Sequence, residues 1–246
     1  MTQEAELEVQ AFDGKSIYCA VDYAVSEQRP AETVIVMVHG VTGYPHNYAF
    51  QIASRYFAQQ GSDVVRPALY SGGENHRNLS ECTTSIHTKD VQSVINALRL
   101  RYKKIYVAGH SLAGTSLIGL THTADAYSFW DCDYLPWDDT WQYAKYEEKL
   151  DAYTIGWGSK NLISKDMVEE GRATTEAMIK ARLAAINVPS QVIIAEFGQA
   201  ASGKKIFEGL NSEKELQVLT GSGHVFKEGD SAERLAALTF DWFGRF

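Results

Sequence analysis

Two hydrophobic periodicities alternate along the chain. Residues 33–38 (Thr-Val-Ile-Val-Met-Val) are apolar almost without a break, which predicts a strand covered on both faces. Residues 7–12 and 16–25 instead alternate apolar and polar side chains around Asp13-Gly14-Lys15, the pattern of a hairpin with one wet face. From Asn47 the period changes: Phe50, Ala53, Tyr56 and Phe57 fall on one helical face, and Gly61 ends it. A strand is then expected over 63–69. A helix carries Val91, Val94, Ile95 and Leu98, and a strand over 104–107 leads into an apolar helix reaching Leu120. Further strands are expected at 126–130, 191–197 and 216–220. Helices follow at 204–210 and after Asp230-Ser231-Ala232-Glu233, a variant capping box ahead of Leu235, Leu238 and Trp242. Alternation of this kind predicts an α/β fold with a largely parallel sheet.

Residues 134–189 interrupt the alternation and are too long for a plain crossover. They hold Tyr134, Trp137, Trp141, Tyr143, Tyr146, Tyr153 and Trp157, then an amphipathic stretch with Ile179, Leu183 and Ile186. This segment reads as a helical lid inserted into a single domain spanning 1–246. Its aromatic residues either pack the lid onto the core or line an apolar or aromatic substrate pocket.

Composition narrows the class. A length of 246 residues suits one domain with a single large core. The formal charge of −8 argues against non-specific nucleic-acid binding, which needs a basic face. No apolar run approaches the roughly 20 residues of a membrane helix. The acidic start, Met1 to Glu6, lacks the apolar core of a signal peptide. Cys19, Cys82 and Cys132 are widely spaced and odd in number, which predicts reduced thiols in a cytoplasmic protein rather than a disulfide or zinc framework.

The chemistry concentrates at residues 107–114, Val-Ala-Gly-His-Ser-Leu-Ala-Gly, between a β-branched run and an apolar helix. That is the strand–turn–helix context of a nucleophile elbow, with Ser111 as the nucleophile. Gly109 and Ala113 are small enough for strand and helix to approach. His224, in the loop Gly221-Ser222-Gly223-His224, follows the last strand and lies after Ser111 in chain order, as a general base must in this architecture. His46, His76, His87 and His122 have no such setting and no metal-ligand spacing. Oxyanion donors are expected from the backbone amides of Leu112 and of Val41, in the loop His39-Gly40-Val41-Thr42-Gly43. Gly72-Gly73-Glu74 reads as a turn near the pocket mouth.

Taken together, His39-Gly40, Gly109-His110-Ser111-Leu112-Ala113 and Gly221-Ser222-Gly223-His224 resemble the α/β-hydrolase superfamily. The likeness implies an eight-stranded, mostly parallel sheet with helices on both faces and a serine hydrolase site at its carboxyl edge. It implies hydrolysis of a carboxylic ester or related acyl compound, a small-molecule substrate, and neither cofactor nor metal. Ala113 stands where the commonest motif has glycine. A larger departure concerns the triad acid, which in most of the family follows the strand matching 191–197. Gln199 occupies that place, and no carboxylate does. Some members carry the acid one strand earlier, where this chain reads Asp131-Cys132-Asp133. Asp131 is therefore the expected acid, with Asp133 and Glu196 as alternatives. A non-catalytic, ligand- or partner-binding member of the fold is the rival reading, supported by Gln199.

Overall fold

The computed structural model describes residues 4–25, 31–121, 124–156 and 159–246, so His122 and Trp157 lie outside the described residues. The chain opens with an antiparallel pair, β1 (Glu4–Gln10) and β2 (Ser16–Asp22), with Val9 opposite Ile17. β2 stops at Asp22, whose carboxylate pairs at 2.6 Å with the buried Arg66. There follow β3 (Thr33–Val38), α1 (Tyr48–Gln59), β4 (Asp63–Pro67), α2 (Thr84–Arg99), β5 (Lys104–His110), α3 (Ala113–Ile118) and β6 (Ala126–Trp130). The last third of the sheet comes from β10 (Ser190–Phe197) and β11 (Lys214–Gly223), with α7 (Ala200–Gly209) between them and α8 (Ser231–Phe243) after them.

These strands form one eight-stranded sheet in the order β1-β2-β4-β3-β5-β6-β10-β11. β2 runs antiparallel to both its neighbours, and the six strands from β4 to β11 are parallel. The continuous apolar runs have a direct cause. Successive side chains of a strand point to opposite faces. Val34, Val36 and Val38 enter one core beneath α2 and α3, while Ile35 and Met37 enter a second beneath α1 and α8. β5 and β10 divide in the same way, Val107 and Ile194 against Ala108 and Ile193. A sheet buried on both faces leaves its carboxyl edge as the place where loops meet.

Between β6 and β10 the chain forms α4 (Pro136–Asp139), three short strands β7 (Lys145–Glu147), β8 (Ala152–Ile155) and β9 (Asn161–Ile163), then α5 (Lys165–Ala173) and α6 (Glu176–Ala185). The strands make a separate antiparallel sheet, with Tyr146 opposite Tyr153 and Tyr153 opposite Ile163. The all-helical insertion expected over 134–189 is thus corrected to a mixed one. Strands of three or four residues are too short for alternation to register as a pattern. A third hydrophobic cluster ties the segment down: Trp141, Tyr153, Ile155, Ile163, Met167 and Val168 pack with Cys82 and Leu112, and Val41 and Tyr70 lie against them.

Two local expectations also change. α7 begins at Ala200 rather than 204. Asp230 does not cap α8 with its side chain; the carboxylate pairs instead with Arg234 at 2.8 Å.

Candidate active site

Ser111, Asp131 and His224 follow β5, β6 and β11 at the carboxyl edge of the sheet. Ser111 has φ = +58°, a left-handed backbone that a non-glycine residue adopts at a cost of about 1–3 kcal/mol. Its amide is held by Trp130 O at 3.1 Å, and its carbonyl accepts from Asp133 N at 3.2 Å. The turn therefore fixes the hydroxyl above the edge, where its Oγ lies 3.0 Å from His224 Nε2. On the other side of the ring, Nδ1 donates to Asp131 Oδ2 at 2.6 Å.

Asp131 is wholly buried and also has a left-handed backbone, φ = +45°. Three N–H donors surround its carboxylate. Oδ1 accepts from Ala195 N and Gln199 N, both at 3.0 Å, and Gln199 N also lies 3.0 Å from Oδ2, beside the histidine. Hydrogen bonds of this kind lock the orientation of the carboxylate toward the histidine. Gly198 is required by this closeness, since a Cβ there would lie 2.1 Å from Asp131 Oδ2.

The alternative acids sit elsewhere. Asp133 is also fully buried, yet it accepts from Thr140 Oγ1 and from Gln199 Nε2 (2.6 Å), and among the described residues it makes no hydrogen bond to His224. Burial, reinforced by the neighbouring charge of Asp139, pushes its carboxyl up to about 6. Glu196 is exposed and accepts from Gly221 N at 2.6 Å. Gln199, which fills the family's usual acid position, thus supports Asp131 with its amide and binds Asp133 with its side chain.

The loop after β3 comes directly over the elbow. A Cβ on Gly40 would meet Ser111 Cβ at 2.8 Å and His110 O at 2.9 Å. Among the described residues, neither the Val41 amide nor the Leu112 amide has a hydrogen-bond acceptor. His39 is buried and held in one tautomer: Nδ1 donates to Gly40 O at 2.8 Å, and Nε2 accepts from Leu69 N at 3.2 Å. Burial lowers its imidazole to about 4, so it stays neutral.

The sequence reading passed over His110. Its Nε2 donates to the carbonyl of His224 at 2.7 Å, and the two rings lie 4.7 Å apart. Burial pushes the His110 imidazole down to about 3, so it remains an uncharged donor beside the other histidine. Its position next to Ser111 was the available signal.

A cleft of about 860 Å³ opens over these residues. Gly40, Val41, Ser111 and His224 line it, together with the polar Asp139, Thr140, Gln142, Gln199 and Ser202. Tyr48, Tyr143, Phe197 and Val225 line it and are exposed at its rim. Of the aromatic residues in 134–189, Tyr143 alone lines the cleft among those described, whereas Tyr134, Trp141 and Tyr153 are buried in the cores. The turn at Gly72 and Gly73 is not part of the lining. Among the described residues no cluster of His, Cys, Asp or Glu is placed to hold a metal, and no helix is long and apolar enough to cross a membrane.

No protein-family model matches the chain. A thermostable monoacylglycerol lipase of Bacillus sp. (strain H-257) is 26% identical over 212 residues, covering 78% of this chain and 82% of that protein. The esterase domain of a Rhodothermus marinus protein superimposes with a TM-score of 0.76 at 16% identity, over 99% of this chain and 98% of that one. Est1E of Butyrivibrio proteoclasticus with ferulic acid bound gives 0.80 at 12% identity, over 97% and 98%. Strand order, the turn at Ser111 and these likenesses agree: the chain has the α/β-hydrolase fold, the fold of the superfamily its motifs resemble.

Proposed function

We propose that the protein is a serine hydrolase that cleaves a carboxylic ester or related acyl compound through an acyl-Ser111 intermediate. The observation that carries this reading is the unbroken hydrogen-bonded line from Ser111 Oγ through the His224 ring to Asp131. Ser111 Oγ attacks the acyl carbon and passes its proton to His224 Nε2. Asp131 orients the ring and stabilises the imidazolium. The amides of Val41 and Leu112 donate to the oxyanion, each contributing about 3 kcal/mol to the transition state. Collapse expels the alcohol, which takes the proton from His224. Water, deprotonated in turn by His224, then releases the acid and restores Ser111.

The exposed aromatic and apolar rim favours a small molecule with an apolar or aromatic acyl group. Residues 134–189 act as a lid in this reading, because Asp139, Thr140, Gln142 and Tyr143 all line the cleft. We assign the protein to the cytoplasm on its three buried, unpaired thiols. The lipase and esterases it resembles support an ester as the substrate class. Against a purely binding role stands the carboxylate at Asp131, which supplies the charge that Gln199 lacks.

A fluorophosphonate probe and a panel of 4-nitrophenyl esters test the proposal. The wild type should be labelled at Ser111 and hydrolyse short acyl esters, and Ser111→Ala should lose both. A wild type that neither labels nor turns over any ester would leave the binding role as the better reading.

A further inference from the structure

We propose that Tyr70 is a positioning residue for the oxyanion site: its hydroxyl, bonded to Gly43 O, holds the Gly40–Gly43 turn so that the Val41 N–H faces the Ser111 acyl adduct. This rests on the serine-hydrolase reading above and extends it to a residue outside the cleft.

Tyr70 lies just beyond β4 and is not part of the cleft lining. Its hydroxyl donates to Gly43 O at 2.9 Å and lies 3.4 Å from Gly40 O. Gly40 O also receives Gly43 N at 3.1 Å and His39 Nδ1 at 2.8 Å. The carbonyl of Gly40 and the amide of Val41 belong to one planar trans unit, so they point in opposite directions. The donors on the oxygen, Gly43 N and His39 Nδ1, therefore set the direction of the N–H and polarise it toward stronger donation, and Tyr70 keeps Gly43 in place by holding its carbonyl. The close approach of Gly40 to Ser111 brings this peptide against the elbow.

A second observation shows that the loop needs holding. Thr42, one residue beyond the donor, has φ = +59°. A β-branched residue persists in that region only where its surroundings over-determine it. The Tyr70 ring supplies such surroundings, lying 5.1 Å edge-on to His39 and packing with Val41 against the cluster that contains Leu112. Burial raises the Tyr70 phenol far above its usual range, so the hydroxyl stays a donor at any working pH.

The test compares wild type, Tyr70→Phe and Ser111→Ala with 4-nitrophenyl butyrate as substrate and phenylboronic acid as a tetrahedral-adduct probe. Tyr70→Phe removes one oxygen and keeps the ring. We expect kcat to fall about tenfold with KM within about twofold, and the boronate inhibition constant to rise about tenfold in parallel. A role confined to stability would lower Tm without this matched loss. Unchanged kcat and boronate affinity in a folded Tyr70→Phe, or a rise in KM alone, overturns the inference. Should the variant not fold, a crystal structure of the wild-type boronate adduct decides. An adduct oxygen about 3 Å from Val41 N, with Tyr70 still on Gly43 O, supports the inference, and adduct oxygens all turned from Val41 overturn it. The control separates the two failures: full activity in Ser111→Ala removes the serine reading itself, whereas an inactive Ser111→Ala beside an unaffected Tyr70→Phe removes only the role of Tyr70.

Discussion

Asp131 and Asp133 are two residues apart and both fully buried, yet their surroundings give them different work. Asp131 receives two backbone amides and the His224 ring; Asp133 receives a threonine hydroxyl and a glutamine amide. Residues two apart on a strand would share a face, but both lie beyond β6, and the left-handed turn at Asp131 breaks that register and sends the two carboxylates to different partners. Asp131→Asn should therefore lower turnover by about 10⁴-fold with the fold intact, as the neutral isostere presents the wrong hydrogen-bonding face to the ring. Asp133→Asn should stay within about tenfold, since the Gln199 amide can turn to meet it, and exposed Glu196→Gln should be near neutral. Steady-state kcat for the three variants on one ester gives the order. An Asp133→Asn loss equal to that of Asp131→Asn would contradict the assignment. The sequence singled out Asp131 because Gln199 lacks a charge and the preceding strand ends in an aspartate. It carried no sign of Gly198 or of the Gln199 amide, because a backbone donor has no side-chain signature.

The elements that could be read from sequence are those with two covered faces or a long amphipathic stripe. β3, β5 and β10 are continuous apolar runs between two cores, and α1 and α2 bury every third or fourth residue. The sheet order then brings Ser111 and His224 to one edge. β7 to β9 were illegible because each is too short to show a period and only three-stranded pairing sustains them. Their packing has a consequence for the site. Trp141 is wholly buried in the cluster that also holds Leu112, one of the two candidate oxyanion donors, with Val41, the other, against it. Trp141→Ala should cost about 3–5 kcal/mol of stability. It should also lower kcat at temperatures well below its own Tm, although Trp141 does not line the cleft. Thermal unfolding together with kcat separates the two effects, and a folded, less stable Trp141→Ala with wild-type kcat would show that the cluster does not brace the donors.

Across the whole molecule, three imidazoles are folded into dry surroundings. Burial lowers His39 to about 4, and His87 and His110 to about 3, from an ordinary 6.5. The unfolded chain takes up protons on these rings as pH drops below about 6.5, while the folded chain does so only near pH 3–4. The unfolded state thus binds more protons throughout that window, so stability rises with pH across it and is lost on acidification. At pH 5 each ring contributes a loss of about 2 kcal/mol relative to neutral pH. Asp133 acts with the opposite sign, as does Asp90, whose carboxyl is also raised by burial. The folded Asp133 carboxyl, raised to about 6, is protonated before the unfolded one, which returns about 1 kcal/mol at the same pH. The three histidines outweigh the two aspartates, and the urea midpoint should fall markedly between pH 7.5 and pH 5. His87 offers the cleanest separation. It lies on α2, away from the cleft lining; its Nε2 has no hydrogen-bond partner among the described residues, its ring packs beside Tyr70, and His39 and Arg77 act on it electrostatically. His87→Leu removes one titrating ring and one unsatisfied nitrogen. It should leave the midpoint at pH 7.5 equal or higher and narrow the gap to pH 5 by about 2 kcal/mol in unfolding free energy. A variant whose midpoint falls with acid as steeply as the wild type would mean that His87 is already protonated, or already wet, in the folded protein.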